Sequence, residues 1–204
     1  MTIDEIMRAA PVIPVLVLEK EMDWAALAET FVAGGLSVLE ITLRTPVALE
    51  AIRQMSKVSG AIVGAGTVLN PHQLDDALEA GSRFIVSPGL TAPLAKSMAQ
   101  SGAAYLPGVA TAGDIMRGLD LGLDRFKFFP AEASGGIAAL GALSAPFGQV
   151  RFCPTGGIRP DTAAQWLAMP SVLCVGGSWF VKPGDDDLAS VGERARTAAA
   201  LARL

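Results

Sequence analysis

The sequence predicts an α/β fold, a (β/α)8 or TIM barrel with an extra helix before its first strand. Short apolar runs rich in β-branched residues alternate with longer helical patterns along the whole chain, as they do in parallel sheets built from βα units. Eight such runs follow one another at intervals of roughly 20 to 25 residues, the spacing of barrel units. Gly, Pro, Ser and Thr gather where the runs end, and in a barrel those ends form the ligand face.

The predicted strands and helices alternate from one end of the chain to the other. The strands are Val12–Val17, Val38–Thr42, Ile62–Thr67, Phe84–Ser87, Ala104–Val109, Arg125–Phe128, Val150–Cys153 and Leu173–Gly176. The helices are Asp23–Ala33, Pro46–Lys57, Pro71–Ala80, Ala92–Ser101, Ala112–Leu121, Ile137–Ser144, Pro160–Ala168 and Leu188–Leu204. The extra helix over Thr2–Ala10 is expected to close one end of the barrel.

Proline and glycine mark the ends of several predicted helices. Proline suits a first turn, where its missing N–H has no partner to lose, and glycine suits the left-handed residue that ends a helix. The prolines placed in first turns are Pro46, Pro71 and Pro160. The glycines placed as left-handed caps are Gly34, Gly81, Gly102 and Gly122.

Length and composition favour one domain. A chain of 204 residues that is 51% hydrophobic can bury one substantial core and is short for two, so residues 1–204 are predicted to form a single barrel domain. An open, doubly wound sheet shows the same alternation and is the competing architecture. The turn-forming residues at so many strand ends favour the barrel.

Charge and patterning restrict the partners. A net charge of −4 argues against nucleic acid or an anionic membrane surface, because both require a basic face. No apolar stretch is long enough to cross a membrane without Pro or Gly, and the acidic start Met1–Glu5 is unlike a secretory signal. We therefore expect a cytoplasmic protein with a small-molecule ligand.

Metal and triad chemistry have little material in this sequence. The only histidine, His72, follows Asn70-Pro71 at a predicted helix start and is expected on the surface, so neither a histidine metal site nor a Ser-His-Asp triad is indicated. Cys153 and Cys174 lie in apolar segments and are expected to be buried thiols. We expect no metal and no cofactor.

Lys127 is the lysine that stands inside a predicted strand. Strand alternation places it on the face opposite Phe126 and Phe128. If those rings pack against the helices, the lysine points into the barrel, where burial disfavours the ammonium and favours the nucleophilic neutral amine that imine formation needs. The alternative is a lysine that reaches solvent or only pairs with an inward carboxylate.

Glu40 is a charged residue within another apolar strand. It shares a face with Val38 and Thr42, opposite Leu39 and Ile41. An inward carboxylate is costly unless it is paired, and an inward lysine supplies the partner. The two residues are either a structural ion pair or a nucleophile with an adjacent proton shuttle.

Further candidates lie at the ends of other strands. Arg44 follows Glu40 by four residues and could clamp a carboxylate bidentately, with the Thr67 hydroxyl as a second contact. The glycines of Thr155-Gly156-Gly157 and Gly176-Gly177-Ser178 follow the seventh and eighth strands, where barrels tend to bind phosphate through backbone N–H groups. Each glycine pair alone could be a tight turn, but together they favour a phosphate site.

Five segments resemble, in order and over essentially the whole chain, the 2-keto-3-deoxy-6-phosphogluconate aldolases, class I enzymes of the Entner–Doudoroff pathway. These segments are Val38–Thr45, Ile62–Pro71, Ser87–Thr91, Phe126–Glu132 and Val150–Ile158. Related enzymes act on the galactonate epimer, and some relatives also cleave 4-hydroxy-2-oxoglutarate. The resemblance is weakest at the termini and in the loop 182–187.

The resemblance assigns a role to each candidate. It implies that Lys127 forms an imine with the C2 ketone, that Glu40 is the general acid and base, and that the products are pyruvate and glyceraldehyde 3-phosphate without a metal. It also implies a homotrimer. The residues it implies for substrate binding are Arg44 and Thr67 at the carboxylate, Pro88 and Phe129 beside the imine, Thr155 near the C4 hydroxyl, and Gly156, Gly157, Gly177 and Ser178 at the phosphate.

Two other functions stay open at this point. A sugar-phosphate epimerase or isomerase would use the same barrel and phosphate site, with Glu40 as its base and Lys127 as an electrostatic partner only. A phospho-ligand sensor would keep the pocket without turnover. Trapping of an imine with borohydride distinguishes an aldolase from both.

Overall fold

The computed structural model describes residues 1–181 and 187–201. Its strands are β1 (Val12–Leu16), β2 (Val38–Thr42), β3 (Ile62–Gly66), β4 (Phe84–Ser87), β5 (Ala104–Val109), β6 (Arg125–Phe128), β7 (Arg151–Pro154) and β8 (Val175–Gly177). Its helices are α1 (Ile3–Ala9), α2 (Trp24–Ala33), α3 (Ala48–Met55), α4 (Pro71–Glu79), α5 (Ala92–Ser101), α6 (Ala112–Asp120), α7 (Gly136–Ser144), α8 (Ala163–Leu167) and α9 (Leu188–Ala199).

The eight strands form one parallel sheet that closes on itself. The strands lie in the order β7-β6-β5-β4-β3-β2-β1-β8. Single parallel bridges, Phe152 with Val172 and Thr155 with Gly176, join the two ends of this order. The predicted (β/α)8 barrel is therefore confirmed, and the open doubly wound sheet is wrong for this chain.

Side chains divide between two cores because successive strand residues face opposite sides of the sheet. One core lies between the strands and the surrounding helices, and the other fills the barrel interior. Ile6 and Met7 of α1 are fully buried in the interior core, and the partly buried first residues of β3 and β5 pack against it. Helix α1 therefore plugs the end at which the strands begin, as predicted, and the opposite end is left for a ligand.

An ionic contact ties this plug to the barrel. Asp4 accepts hydrogen bonds from Arg8 Nε at 2.7 Å and from Arg125 Nε, in the first residue of β6, at 2.6 Å. The hydrogen bond from Arg8, with a further contribution from Arg125, lowers the pKa of the Asp4 carboxyl below its ordinary value of 3.8. The charged form of Asp4 is therefore favoured in the folded protein.

Replacing Asp4 by Asn is expected to destabilise the protein in a pH-dependent way. A carboxyl whose pKa is lower in the folded state stabilises the fold at pH values above its unfolded pKa, and loses this effect as the pH falls through the folded pKa. We expect wild type to exceed Asp4→Asn by less than about 1 kcal/mol in unfolding free energy at pH 7, since the pair is partly exposed. Urea unfolding at pH 7 and near pH 3 tests this, because the gap must shrink at the lower pH.

Some predicted helix ends differ from the structure. Pro71 begins α4, but Pro46 and Pro160 precede α3 and α8 in turns and not in their first helical residues. Gly34 is right-handed (φ −79°), and Gly35 next to it takes the left-handed conformation (φ +88°). A Cβ on Gly34 would lie 2.6 Å from Ala195 Cβ, so this glycine permits close packing of α9. The last helix was predicted to run to Leu204, but α9 ends at Ala199 with Ala200 as its cap; residues 202–204 lie outside the described ranges.

The remaining sequence expectations concern His72 and the cysteines. The His72 side chain is 86% exposed, and Cys153 and Cys174 are buried thiols that form no disulfide. Within residues 1–181 and 187–201, no group of three or more His, Cys, Asp or Glu residues is arranged to hold a metal ion. In the same ranges, no helix has the length and apolar character needed to cross a bilayer.

Candidate active site

A lysine and a glutamate meet inside the barrel. Lys127 on β6 and Glu40 on β2 are 5% and 3% exposed, and Lys127 Nζ donates to Glu40 Oε1 at 3.0 Å. A buried ion pair of this kind requires good geometry to offset the loss of hydration of both charges. The structure therefore joins the two charged residues that interrupted apolar strands in the sequence.

Strand alternation explains why both side chains point inward. Phe126 and Phe128, on either side of Lys127, are buried in the core between strands and helices, with the Phe128 ring 6.4 Å from that of Trp166 in α8. The residues flanking Glu40, Leu39 and Ile41, belong to the same outer core. The outward apolar residues thus fix the inward direction of the charged ones.

Gly66 at the end of β3 makes room for the Glu40 carboxylate. A Cβ at this position would lie 2.2 Å from Glu40 Oε1 and 2.7 Å from its Cγ. Only a residue without a side chain allows the glutamate to occupy its observed position. The sequence showed Gly66 in a Gly-x-Gly segment, but not that its space belongs to a carboxylate from the neighbouring strand.

Replacing Gly66 by Ala is expected to displace the Glu40 carboxylate while the fold is kept, because the clashing atoms belong to a long side chain and not to backbone. A shift of about 1 Å in a catalytic group can cost about 100-fold in rate. We expect the aldol cleavage implied by the resemblance to slow by about that factor, measured as pyruvate release in a steady-state assay. Gly148→Ala is the matched control, since a Cβ there meets nothing within 4 Å. Unchanged activity of Gly66→Ala would contradict this role.

Phe129 lies beside Lys127, and Pro88 lies against the neighbouring strand β5. Gly108 pairs with Lys127 across β5 and β6, and a Cβ on Gly108 would lie 2.1 Å from the Pro88 carbonyl oxygen, so the Pro88 backbone rests directly on this glycine. The Phe129 ring lies with its centroid 5.4 Å from Lys127 Nζ. Phe129 is therefore close to the lysine, and Pro88 contacts the residue of β5 that pairs with it; their place beside an imine stays a prediction. The sequence placed Gly108 at a strand end on the ligand face, but did not show that Pro88 packs against it.

Arg44 and Thr67 contact each other at the same end of the barrel. The exposed Arg44 donates from Nε to Thr67 Oγ1 at 3.1 Å. Thr67 has φ +58° and is the only non-glycine residue with positive φ in the described ranges. This conformation is unfavourable for a β-branched residue, and such strain concentrates at functional sites. The hydrogen bond orients the guanidinium, whose planar set of donors suits a carboxylate.

The two glycine-rich segments are neighbours. Thr155, directly after β7, bridges to Gly176, which brings Gly156 and Gly157 next to β8. Gly156 and Gly157 have positive φ, at +103° and +82°. Such a turn directs successive backbone N–H groups toward one side, where an anion can accept from them.

The second glycine pair differs from its predicted position. Gly176 and Gly177 lie within β8 and not after it, because they pair with Ile13 and Pro14 of β1, and Ser178 alone follows the strand. A Cβ on Gly176 would lie 2.3 Å from Thr155 Oγ1, and one on Gly177 would lie 2.4 Å from the Trp179 ring. These glycines therefore also serve close packing. Ser178 is exposed at the rim.

Glu132 is a neighbour of the glycine turn that the sequence did not reveal. Its backbone N–H donates to the Gly156 carbonyl at 3.1 Å, and its Oε1 accepts from Trp166 Nε1 at 3.1 Å. A Cβ on Gly157 would lie 2.7 Å from Glu132 Cβ. Its sequence position, an acidic residue after a strand, gave no signal because such residues are usually solvated.

Comparison with known proteins agrees with this geometry. A family model described as "Aldolase: KDPG and KHG aldolase" matches residues 3–193. The chain belongs to this family. The KHG/KDPG aldolase of Escherichia coli K12 is 53% identical over 183 residues, which are 89% of this chain and 85% of that protein.

Two solved structures of family members are close to this fold. The 2-keto-3-deoxy-6-phosphogluconate aldolase of Zymomonas mobilis ZM4, crystallised with 3-phosphoglycerate, is 60% identical with a TM-score of 0.96, covering 98% of this chain and 96% of its own. The KDPG aldolase of Legionella pneumophila, with pyruvate captured at low pH as a covalent carbinolamine intermediate, is 42% identical with a TM-score of 0.94. That match covers 98% of this chain and 99% of the Legionella chain.

Proposed function

We propose that this protein is a class I, Schiff-base aldolase that cleaves 2-dehydro-3-deoxy-6-phosphogluconate (KDPG) to pyruvate and glyceraldehyde 3-phosphate. The observation that carries this proposal is the buried 3.0 Å contact between Lys127 Nζ and Glu40 Oε1. It places a primary amine beside a carboxylate able to move protons, the pair that imine chemistry requires. The pyruvate carbinolamine in the Legionella relative supports the same chemistry here.

The reaction begins when Glu40 takes a proton from the Lys127 ammonium and the resulting neutral amine attacks the C2 carbonyl of the substrate. Glu40 returns this proton to the carbonyl oxygen, which becomes a hydroxyl, and takes another proton from the positively charged nitrogen of the adduct. It gives this second proton to the hydroxyl, which leaves as water and yields a protonated imine. The Glu40 carboxylate then removes the proton of the C4 hydroxyl, and the C3–C4 bond breaks. The bonding electrons pass to the imine to form an enamine, and the aldehyde departs. Protonation at C3 and addition of water then release pyruvate and regenerate the amine.

The flanking residues hold the two ends of the substrate. Arg44 and Thr67 bind the C1 carboxylate, and their mutual hydrogen bond positions them for it. Pro88 and Phe129 enclose the imine. Thr155 contacts the C4 hydroxyl. The phosphate is bound by Gly156, Gly157, Gly177 and Ser178.

Backbone donors suit the phosphate in a protein of net charge −4, because they attract an anion without a basic surface. The 3-phosphoglycerate in the Zymomonas structure supports a phosphorylated ligand. The KHG/KDPG name of the Escherichia coli relative supports 4-hydroxy-2-oxoglutarate as a second substrate, cleaved to pyruvate and glyoxylate. The enzyme acts without a metal or cofactor, as a homotrimer of single-domain chains in the cytoplasm.

Borohydride trapping tests the function. Wild type incubated with pyruvate and borohydride is expected to gain the mass of a reduced pyruvyl adduct, located at Lys127 by peptide mapping. Cleavage of KDPG and of 4-hydroxy-2-oxoglutarate is measured in parallel by pyruvate release. An epimerase would exchange a substrate C–H with solvent and release no pyruvate, and a sensor would bind without turnover. An unlabelled wild-type protein would overturn the proposal.

A further inference from the structure

Two buried hydroxyl groups lie behind the Pro88–Gly89 turn. Ser87, the last residue of β4, is fully buried, and Tyr105 of β5 is 5% exposed. Ser87 Oγ lies 2.8 Å from the Tyr105 hydroxyl and donates to the Gly89 carbonyl at 2.7 Å. Neither group faces the barrel interior, because Tyr105 belongs to the core between strands and helices.

The chemistry of these groups fixes the direction of the hydrogen bonds. The Gly89 carbonyl can only accept, so the single Ser87 proton is committed to it. Tyr105 must therefore donate to Ser87 Oγ. Burial raises the pKa of Tyr105, which keeps its hydroxyl protonated and able to donate. The two hydrogen bonds therefore run in one direction: Tyr105 donates to Ser87, and Ser87 donates to the backbone of the turn.

These two hydrogen bonds end at a turn near the reactive lysine. The Pro88 carbonyl packs on Gly108 so closely that a Cβ there would lie 2.1 Å from its oxygen and 2.8 Å from Gly89 N. Gly108 is the residue that pairs with Lys127 across β5 and β6. A shift of the turn therefore changes the wall beside the Lys127 side chain.

We propose that Ser87 and Tyr105 are positioning residues that hold the Pro88–Gly89 turn over Gly108 and thereby shape the imine pocket. This inference rests on the proposed aldolase function. Neither side chain contacts substrate; both act through Pro88. Without the hydrogen bond from Ser87, the turn is free to move away from the strand, and the keto group meets the amine in a less favourable geometry.

The test compares four variants in the pyruvate and borohydride reaction, followed by intact mass. Ser87→Ala is expected to lower the rate constant of trapping at subsaturating pyruvate at least about tenfold, while the final extent of labelling stays complete. Tyr105→Phe is expected to cause a smaller decrease, because Ser87 keeps its bond to Gly89. The double variant is expected to match Ser87→Ala, since Tyr105 acts through Ser87. Ser82→Ala is the control.

Ser82 suits this purpose because it lies just before β4, is buried, and its hydroxyl has no hydrogen-bond partner in the described residues. A wild-type rate constant in Ser87→Ala would overturn the positioning role. A lower extent of labelling at an unchanged rate constant would overturn it too, because that result means only that less folded protein is present. If Ser87→Ala does not fold, a wild-type rate constant in folded Tyr105→Phe overturns it. Absence of labelling in wild type contradicts the aldolase function itself.

Discussion

Lys127→Ala is expected to abolish aldol cleavage and to give no borohydride adduct with pyruvate. Lys20, Lys57 and Lys96 are exposed at the surface, so none of them is expected to replace it. Loss of a covalent nucleophile costs at least about 1000-fold in turnover. Pyruvate release from KDPG and the intact mass after reduction are the two measurements.

Lys127→Ala also leaves Glu40 buried without a cation, and breaking such a pair costs about 3 to 5 kcal/mol of stability. Lys127→Arg separates the chemistry from this effect, because a guanidinium keeps the positive charge but is not a nucleophile at neutral pH. We expect folded Lys127→Arg to be unlabelled and inactive. Lys96→Ala, at an exposed helical position, serves as the control with full activity. Labelling of either Lys127 variant would show that another amine forms the imine.

Glu40→Gln is expected to separate imine formation from turnover. The amide keeps the shape of the carboxylate and can still accept a hydrogen bond from Lys127, but it cannot take up and return protons. General acid and base catalysis contributes about 100- to 10,000-fold, and we expect kcat for KDPG to fall within that range. Slow trapping with pyruvate should persist because the nucleophile remains.

The matched control for Glu40→Gln is Glu50→Gln. Glu50 lies exposed on α3, where it accepts hydrogen bonds from Arg53 and Gln54, so its loss should leave turnover unchanged. Full activity of Glu40→Gln would remove the glutamate from the mechanism and leave the pair as a structural ion pair.

The sequence was a good guide wherever strand alternation determined the outcome. Lys127 and Glu40 interrupt apolar strands, and their outward neighbours decide which way they point, so both inward directions followed from local pattern. The eight strand-like runs suggested the barrel, and the turn-forming residues at their ends favoured it over an open sheet. Gly34 shows the limit, since its neighbour Gly35 takes the left-handed conformation and the contact that requires Gly34 comes from a helix far along the chain.

Features that depend on contacts between distant segments were not predictable. The space that Gly66 leaves for Glu40 and the contact between Gly108 and Pro88 are set by register between neighbouring strands. Ser87 and Tyr105 are separated by 18 positions, and a serine before Pro-Gly is usually read as a turn residue. A sequence does not show which group a serine or tyrosine hydroxyl contacts, so the hydrogen bond between these two residues is visible only in the structure.

Glu40 and Lys127 stand on β2 and β6, which are half the circumference apart in a ring of eight strands. Their 3.0 Å contact therefore spans the barrel interior, because two long side chains extend toward each other from opposite sides. Substitutions in the outer layer of helices that make the cross-section oval would stretch or compress this contact without touching either residue. The rate of imine formation should therefore depend on the shape of the barrel cross-section. Measuring this rate would show whether substitutions in the helical layer have distorted the barrel.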